Sequence, residues 1–181
     1  METYIFLDVD GVLNNKRHYK KLHKKYGGRF CCENMPFNPR SLRNLKRIVD
    51  ATDGKIVLSS SWRLSDKCMT VLEARLIEYG IKIFSKTERL DGNRGNEITS
   101  WLSQHTQQRQ LLKLDGIDED IIVFRYDCIN LIIDDEVKDI SYKFNKKNII
   151  KTNMNDGLNI FKTIEAIIKY KSQLKLLKKI I

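Results

Sequence analysis

The stretch that decides the fold is YIFLDVDGVLN, residues 4–14, in which an apolar run leads directly into two aspartates and a glycine. In extended chain, residues two apart share a face, so Asp8 and Asp10 point to the same side. Two carboxylates this close repel each other unless a cation or a shared proton compensates. The stretch therefore predicts a buried strand that ends in a metal or phosphate site, although an Asx turn at a strand end is typical of the same residues.

Two later segments repeat this arrangement of a short apolar strand followed by polar groups. The run at 56–58 leads into SSSWR, which offers hydroxyls, amides and a guanidinium for an oxyanion. The run at 130–133 leads into DDE, whose carboxylates suit a hard cation. Because ligands of parallel α/β sheets bind at the carboxyl ends of the strands, we expect these groups to converge.

The ordered motifs resemble the haloacid dehalogenase (HAD) superfamily, and within it the small HAD domain of Swiss Army Knife RNA repair proteins. DVDGVLN, SSSWR, NRGNEITSWL, LIIDDE and TNMNDGLN carry the resemblance, which covers nearly the whole chain. It implies an α/β fold with a Rossmann-like parallel sheet flanked by helices, as a single domain over residues 1–181. The gaps at 15–37 and 66–93, where the superfamily inserts cap domains, are short, so we expect a minimal cap or none.

The resemblance also implies a mechanism. Asp8 would be the nucleophile that attacks phosphorus and forms an aspartyl-phosphate, and Asp10 would be the general acid and then the general base. Mg²⁺ would be bound by Asp8, by the backbone carbonyl of Asp10, and by Asp134 or Asp135. The ion would neutralise charge, since phosphoryl transfer depends mainly on positioning and electrostatics.

The remaining site residues follow from the same resemblance. Ser60 is expected to supply the hydroxyl of the second motif, with Ser59 as the alternative, and Arg94 the basic group of the third, with Lys86 as the alternative. Trp62 is expected to pack, although a clamp on a base or phosphate together with the neighbouring arginine is the other interpretation. The residues expected to contact the substrate are Asn14, Ser61, Arg63 and Lys86.

The charge of the chain indicates an anionic partner. The formal net charge is +10 and the sequence pI is about 9.4. A basic insert at about 15–37 follows the first motif, and its cations are Lys16, Arg17, Lys20, Lys21, Lys24, Lys25 and Arg29. It could guide a polyanion such as an RNA or DNA end toward Asp8, or it could be a solvated helix face.

Other features limit the classes of protein. No apolar run reaches the length of a membrane span, and no signal peptide is evident, so we expect a soluble cytoplasmic protein. The four cysteines lack metal-type spacing and are expected to be reduced thiols. The sequence thus predicts a Mg²⁺-dependent phosphomonoesterase acting on nucleic-acid ends or nucleotides. The alternatives are a catalytically quiet RNA- or phosphate-binding module and a small-molecule phosphatase.

The periodicity of apolar residues places the helices. Asn38 and Pro39 predict the start of one helix, and Ser65 predicts the cap of the next. A short helix is expected at 95–105, a strand at 118–124, and a long last helix capped by Asp156.

Overall fold

A computed structural model describes residues 1–27, 31, 35–106, 108–111 and 123–178. Its strands are β1 (Glu2–Leu7), β2 (Lys55–Leu58), β3 (Ile83–Lys86), β4 (Gln108–Leu111), β5 (Val123–Tyr126), β6 (Cys128–Asp134) and β7 (Ile149–Lys151). Its α-helices are α1 (Lys16–Tyr26), α2 (Pro39–Thr52), α3 (Asp66–Ile77), α4 (Arg94–His105), α5 (Lys138–Ser141) and α6 (Ile160–Lys178). A 3₁₀ turn at Ser61–Leu64 follows β2.

Five strands form a parallel sheet in the order β3-β2-β1-β6-β7. Each face of the sheet is covered, as the near-continuous apolar composition of the central strands requires. Ile5 and Leu7 pack on one side in a cluster that includes residues of α2, α3 and α6. Tyr4 and Phe6 pack on the other side against residues of α4 and α5. The predicted Rossmann-like sheet flanked by helices is confirmed.

Hydrogen bonds at the helix starts explain where the helices begin. Asn38 Oδ1 accepts from the amide of Arg40 at 3.0 Å, and Ser65 caps α3 as predicted. The predicted long last helix is present as α6, but the predicted cap at Asp156 is wrong. The helix begins after Asn159, whose Oδ1 accepts from the amide of Lys162 at 3.1 Å. Asp156 instead forms an ion pair with Arg17 of α1, with 2.8 Å between Asp156 Oδ1 and Arg17 Nη1.

The second sheet lies outside the family motifs. Strands β4 and β5 pair antiparallel, and only residues 123 and 124 of the predicted strand at 118–124 lie within the described residues. Among the described cysteines, Cys31 and Cys128 are not part of a disulfide, but Cys68 is disulfide-bonded. The prediction of four reduced thiols is therefore wrong for Cys68, since spacing along the chain does not show which thiols meet in space. Within the described residues, no helix is long and apolar enough to cross a membrane.

Candidate active site

Asp8 lies directly after β1, at the carboxyl edge of the sheet. The amide of Asp8 donates to the carbonyl oxygen of Ile133 at 3.0 Å, which continues the pairing of β1 with β6. Its carboxylate lies 3.3 Å from Nη1 of Arg94. Burial raises the pKa of Asp8, while the Arg94 charge and then the nearby Ser60 hydroxyl act to lower it. The structure thus brings Ser60 and Arg94 to the predicted nucleophile.

Three carboxylates meet at this edge. One oxygen from each of Asp8, Asp134 and Asp135 lies within 4.8 Å of the others. Burial, and then the charge of Asp8, raises the pKa of Asp134 to about 7. The same two causes, in the same order, raise the pKa of Asp135. A cluster of oxygen ligands with unfavourable negative charge fits a divalent cation such as Mg²⁺.

The two aspartates of LIIDDE differ in burial and in the number of bonds that their carboxylates make within the protein. Asp134 is fully buried, accepts from Arg94, and accepts from the amide of Glu136 at 2.9 Å. Asp135 is half-buried and lies against Gly11, where an added Cβ would be 2.3 Å from its Oδ2. The φ of Gly11 is +69°, in the left-handed region that favours glycine. Both this backbone angle and the closeness of Asp135 therefore require glycine at this turn. Asp135 therefore offers the freer carboxylate for a cation.

Asp10 is held by two side chains. Asn14 Nδ2 donates to Asp10 Oδ1 at 2.7 Å, and Trp62 Nε1 donates to Asp10 Oδ2 at 3.0 Å. Asn14 also accepts from the amide of Gly11 at 3.2 Å, which fixes its amide in the turn. Trp62 packs as predicted, with its ring centroid 5.3 Å from that of Phe37. Its hydrogen bond to Asp10 was not predicted from the sequence. Asn14, expected to contact substrate, instead orients the predicted acid and base.

Arg63 faces the protein interior, contrary to the expected contact with substrate. It is 7% exposed, and its Nη2 lies 2.7 Å from Glu97 Oε2. Its other nitrogen atoms donate to the carbonyl oxygens of Thr87, Ser59 and Ser60 at 2.7 to 3.0 Å. A buried guanidinium requires such partners, so Arg63 fixes the second motif in place.

The other two predicted substrate contacts make no bond to these carboxylates among the described residues. Ser61 and Lys86 are both exposed, and within the described residues neither side chain has a hydrogen bond or ion pair to the carboxylates. Of the two candidates for the basic third residue, Arg94 is the one that contacts Asp8 and Asp134 within the described residues. Ser59 Oγ is buried with no hydrogen-bond partner among the described residues, whereas Ser60 contacts Asp8.

The loop after β7 supports the first motif, a role that sequence reasoning missed. Thr152 Oγ1 donates to the carbonyl oxygen of Gly11 at 2.8 Å. The amide of Leu158 donates to the carbonyl oxygen of Val12, also at 2.8 Å. Both bonds fix the turn that carries Asp10. The only signal in the sequence was the inclusion of TNMNDGLN among the family motifs.

A parallel Rossmann-like sheet with an Asp-x-Asp turn, a serine, an arginine and an Asp-Asp pair at one edge defines a HAD-like domain. A family model described as the HAD domain in Swiss Army Knife RNA repair proteins matches residues 4–160, and the chain belongs to this family. No curated protein and no solved structure shows significant similarity to the chain. Proteins of the HAD class are generally hydrolases, so membership indicates a HAD-type phosphatase.

Proposed function

We propose that the protein is a Mg²⁺-dependent phosphomonoesterase that works through an aspartyl-phosphate on Asp8. The observation that supports this best is the set of groups around Asp8. Its carboxylate is next to the cationic Arg94, the hydroxyl of Ser60 and two more carboxylates, while Asp10 is held nearby. Such a site binds a phosphate dianion only when cations balance its own negative charge.

In the first step, an Asp8 carboxylate oxygen bonds to phosphorus as the bond between phosphorus and the leaving oxygen breaks. Asp10 donates its proton to that oxygen, with Asn14 and Trp62 keeping the carboxyl group in position. In the second step, Asp10 takes a proton from water while the water oxygen bonds to phosphorus, and Asp8 leaves. Mg²⁺ would be held by Asp8, by Asp135 or Asp134, and by the backbone carbonyl of Asp10, and it would supply the charge compensation.

We infer that the substrate is a nucleic-acid end or a nucleotide. The formal net charge of +10, the basic helix α1 beside the first motif, and the RNA repair context of the family support this class. Of the predicted basic insert, residues 28–30 and 32–34 lie outside the described residues.

The test is a phosphatase screen with Mg²⁺ across aryl phosphate, mononucleotides, sugar phosphates and phosphorylated oligonucleotides. We expect turnover that EDTA abolishes and Mg²⁺ restores, and loss of turnover in Asp8→Asn with the fold retained. Preference for sugar phosphates would point to a small-molecule phosphatase instead. Binding of oligonucleotides without turnover of any phosphomonoester would point to a catalytically quiet module.

A further inference from the structure

A cavity of about 920 Å³ lies at the carboxyl edge of the sheet, between the start of α1, the first turns of α2 and the start of α6. None of the three clustered carboxylates, Asp8, Asp134 and Asp135, lines it. Asn14, which bonds Asp10, is adjacent in the chain to Asn15, which lines the cavity. A molecule in the cavity is therefore beside the candidate active site without being in it.

The cavity is strongly cationic. Five cations and one carboxylate, Asp156, line it, and the cations are Arg17, Lys21, Arg40, Arg43 and Arg47. Arg17 pairs with Asp156, but within the described residues Lys21, Arg40 and Arg43 form no ion pair. Burial, and then the Lys21 charge, lowers the pKa of His18, so we count no charge for that imidazole at neutral pH. This surplus of positive charge attracts an anion with several charges.

Two residues that line the cavity, Asn15 and Ser41, each carry a buried polar atom without a partner among the described residues. Asn15 is 5% exposed and Ser41 is 1% exposed, and neither Asn15 Nδ2 nor Ser41 Oγ has a hydrogen bond among the described residues. Asn15 Oδ1 caps α1 by accepting from the amide of His18 at 2.9 Å, so its free end is the donor. A buried donor without a partner is costly unless a ligand supplies the acceptor.

The two groups lie together around Gly157. A Cβ built on Gly157 would be 3.0 Å from Asn15 Nδ2 and 3.2 Å from Ser41 Oγ. An amide donor and a hydroxyl donor beside guanidinium groups are the partners that phosphate oxygens take in proteins. At the rim, Phe161 is 78% exposed and gives a base a face on which to stack.

We propose that this cavity is a second phosphate-binding site, which holds a backbone phosphate of a single-stranded polynucleotide whose terminal phosphate is at Asp8. Its role as part of the substrate site rests on the proposed function, but its affinity for a polynucleotide does not. The site differs from the basic face predicted along α1. Among the cations of that face within the described residues, only Arg17 and Lys21 line the cavity. The arginines of α2, which the sequence did not single out, contribute most of its charge.

The experiment uses the full chain and a fluorescent oligonucleotide that lacks a terminal phosphate, so that hydrolysis plays no part. Fluorescence anisotropy gives the affinity over a series of salt concentrations. We expect Arg40→Gln with Arg43→Gln to weaken binding by about tenfold or more. We also expect it to lower the log-log salt slope by roughly 0.7, the value for one lost phosphate contact on a single strand. The matched control is Lys171→Gln with Lys175→Gln, which removes the same charge from α6 outside the cavity and should change the affinity by less than about twofold.

Two single substitutions test the buried donors. Asn15→Asp retains a cap for α1 but replaces the donor by a carboxylate, so binding should weaken on the order of tenfold. Ser41→Ala should weaken binding while leaving the melting temperature equal or higher, because it removes a buried hydroxyl without a partner. Phe161→Ala should weaken binding by about fivefold or more through lost stacking.

Several outcomes would overturn the proposal. Equal losses in the α2 pair and the α6 pair would show that only net charge matters. Unchanged affinity in both folded Asn15→Asp and Ser41→Ala would show that the buried donors do not contact phosphate. Competition by inorganic phosphate or a mononucleotide as effective as that by the oligonucleotide would assign the cavity to a small anion. Losses confined to the cavity variants would support the site even if no phosphomonoester were hydrolysed, which separates this test from that of the proposed function.

Discussion

Trp62→Phe is the substitution that most sharply tests how Asp10 is used. It removes the hydrogen bond from Nε1 to Asp10 Oδ2, 3.0 Å long, and keeps an aromatic ring against Phe37. Hydrogen bonds to charged groups contribute about 1.5–3 kcal/mol, and each 1.36 kcal/mol of barrier is a factor of ten in rate. If the bond holds Asp10 in place for proton donation, kcat/KM for an alkyl phosphate should fall roughly ten- to a hundredfold.

The assay compares leaving groups. kcat/KM reports the steps up to formation of the aspartyl-phosphate, and an aryl leaving group needs little help from an acid at that stage. The loss should therefore be much smaller for aryl phosphate than for alkyl phosphate. Trp101→Phe is the matched control, because Trp101 is also buried but its Nε1 donates to Ser85 at 2.9 Å on the other face of the sheet. Equal losses for both leaving groups in Trp62→Phe, or a leaving-group dependence also seen in Trp101→Phe, would refute the reasoning.

Further predictions concern the charged groups. Arg94→Met should abolish turnover and Lys86→Met should leave it within about twofold, as measured by aryl phosphate hydrolysis, because only Arg94 contacts the carboxylates. Asp135→Asn should raise the melting temperature in EDTA, because burial and the charge of Asp8 make the Asp135 carboxylate unfavourable and raise its pKa. It should also abolish the stabilisation by Mg²⁺, because it removes a ligand of the ion. Glu97→Ala should destabilise the fold by about 3–5 kcal/mol in denaturant unfolding, because it leaves a buried guanidinium without its carboxylate. The pKa of Asp134 rises from 3.8 to about 7 on folding, so the metal-free protein should lose stability as pH rises across that interval, and thermal melting in EDTA from pH 4 to 8 measures this. Constant melting temperatures across that range would contradict the last prediction.

The sheet and the carboxylate cluster were predictable because they follow from chain-local rules. Alternation places Asp8 and Asp10 on one side, and parallel strands bring their carboxyl ends to one edge. The resemblance then favoured Ser60 over Ser59 and Arg94 over Lys86, and the structure brings both favoured residues to Asp8.

What the sequence did not reveal depends on contacts between distant segments. The short turn after β2 determines that Trp62 turns toward Asp10 while Arg63 turns inward. The inward orientation of Arg63 could have been predicted from Glu97, because Glu97 lies one turn before Trp101 on the buried face of α4. An acidic residue on an apolar helix face predicts a buried cation as its partner. The cavity between α1 and α2 had no such signal, since Asn15 and Ser41 come together only around Gly157, in a distant loop.

The central claim is that Asp8 becomes phosphorylated, and one measurement tests it directly. Asp10→Asn should slow hydrolysis of the intermediate more than its formation from an aryl phosphate, so the phosphorylated protein should accumulate. Rapid quenching and borohydride reduction convert an aspartyl-phosphate to homoserine, which peptide mass spectrometry locates. The account predicts homoserine at position 8, dependent on substrate and Mg²⁺ and absent when Asp8→Asn is added. Substrate turnover with an unmodified Asp8 at every quench time would contradict it.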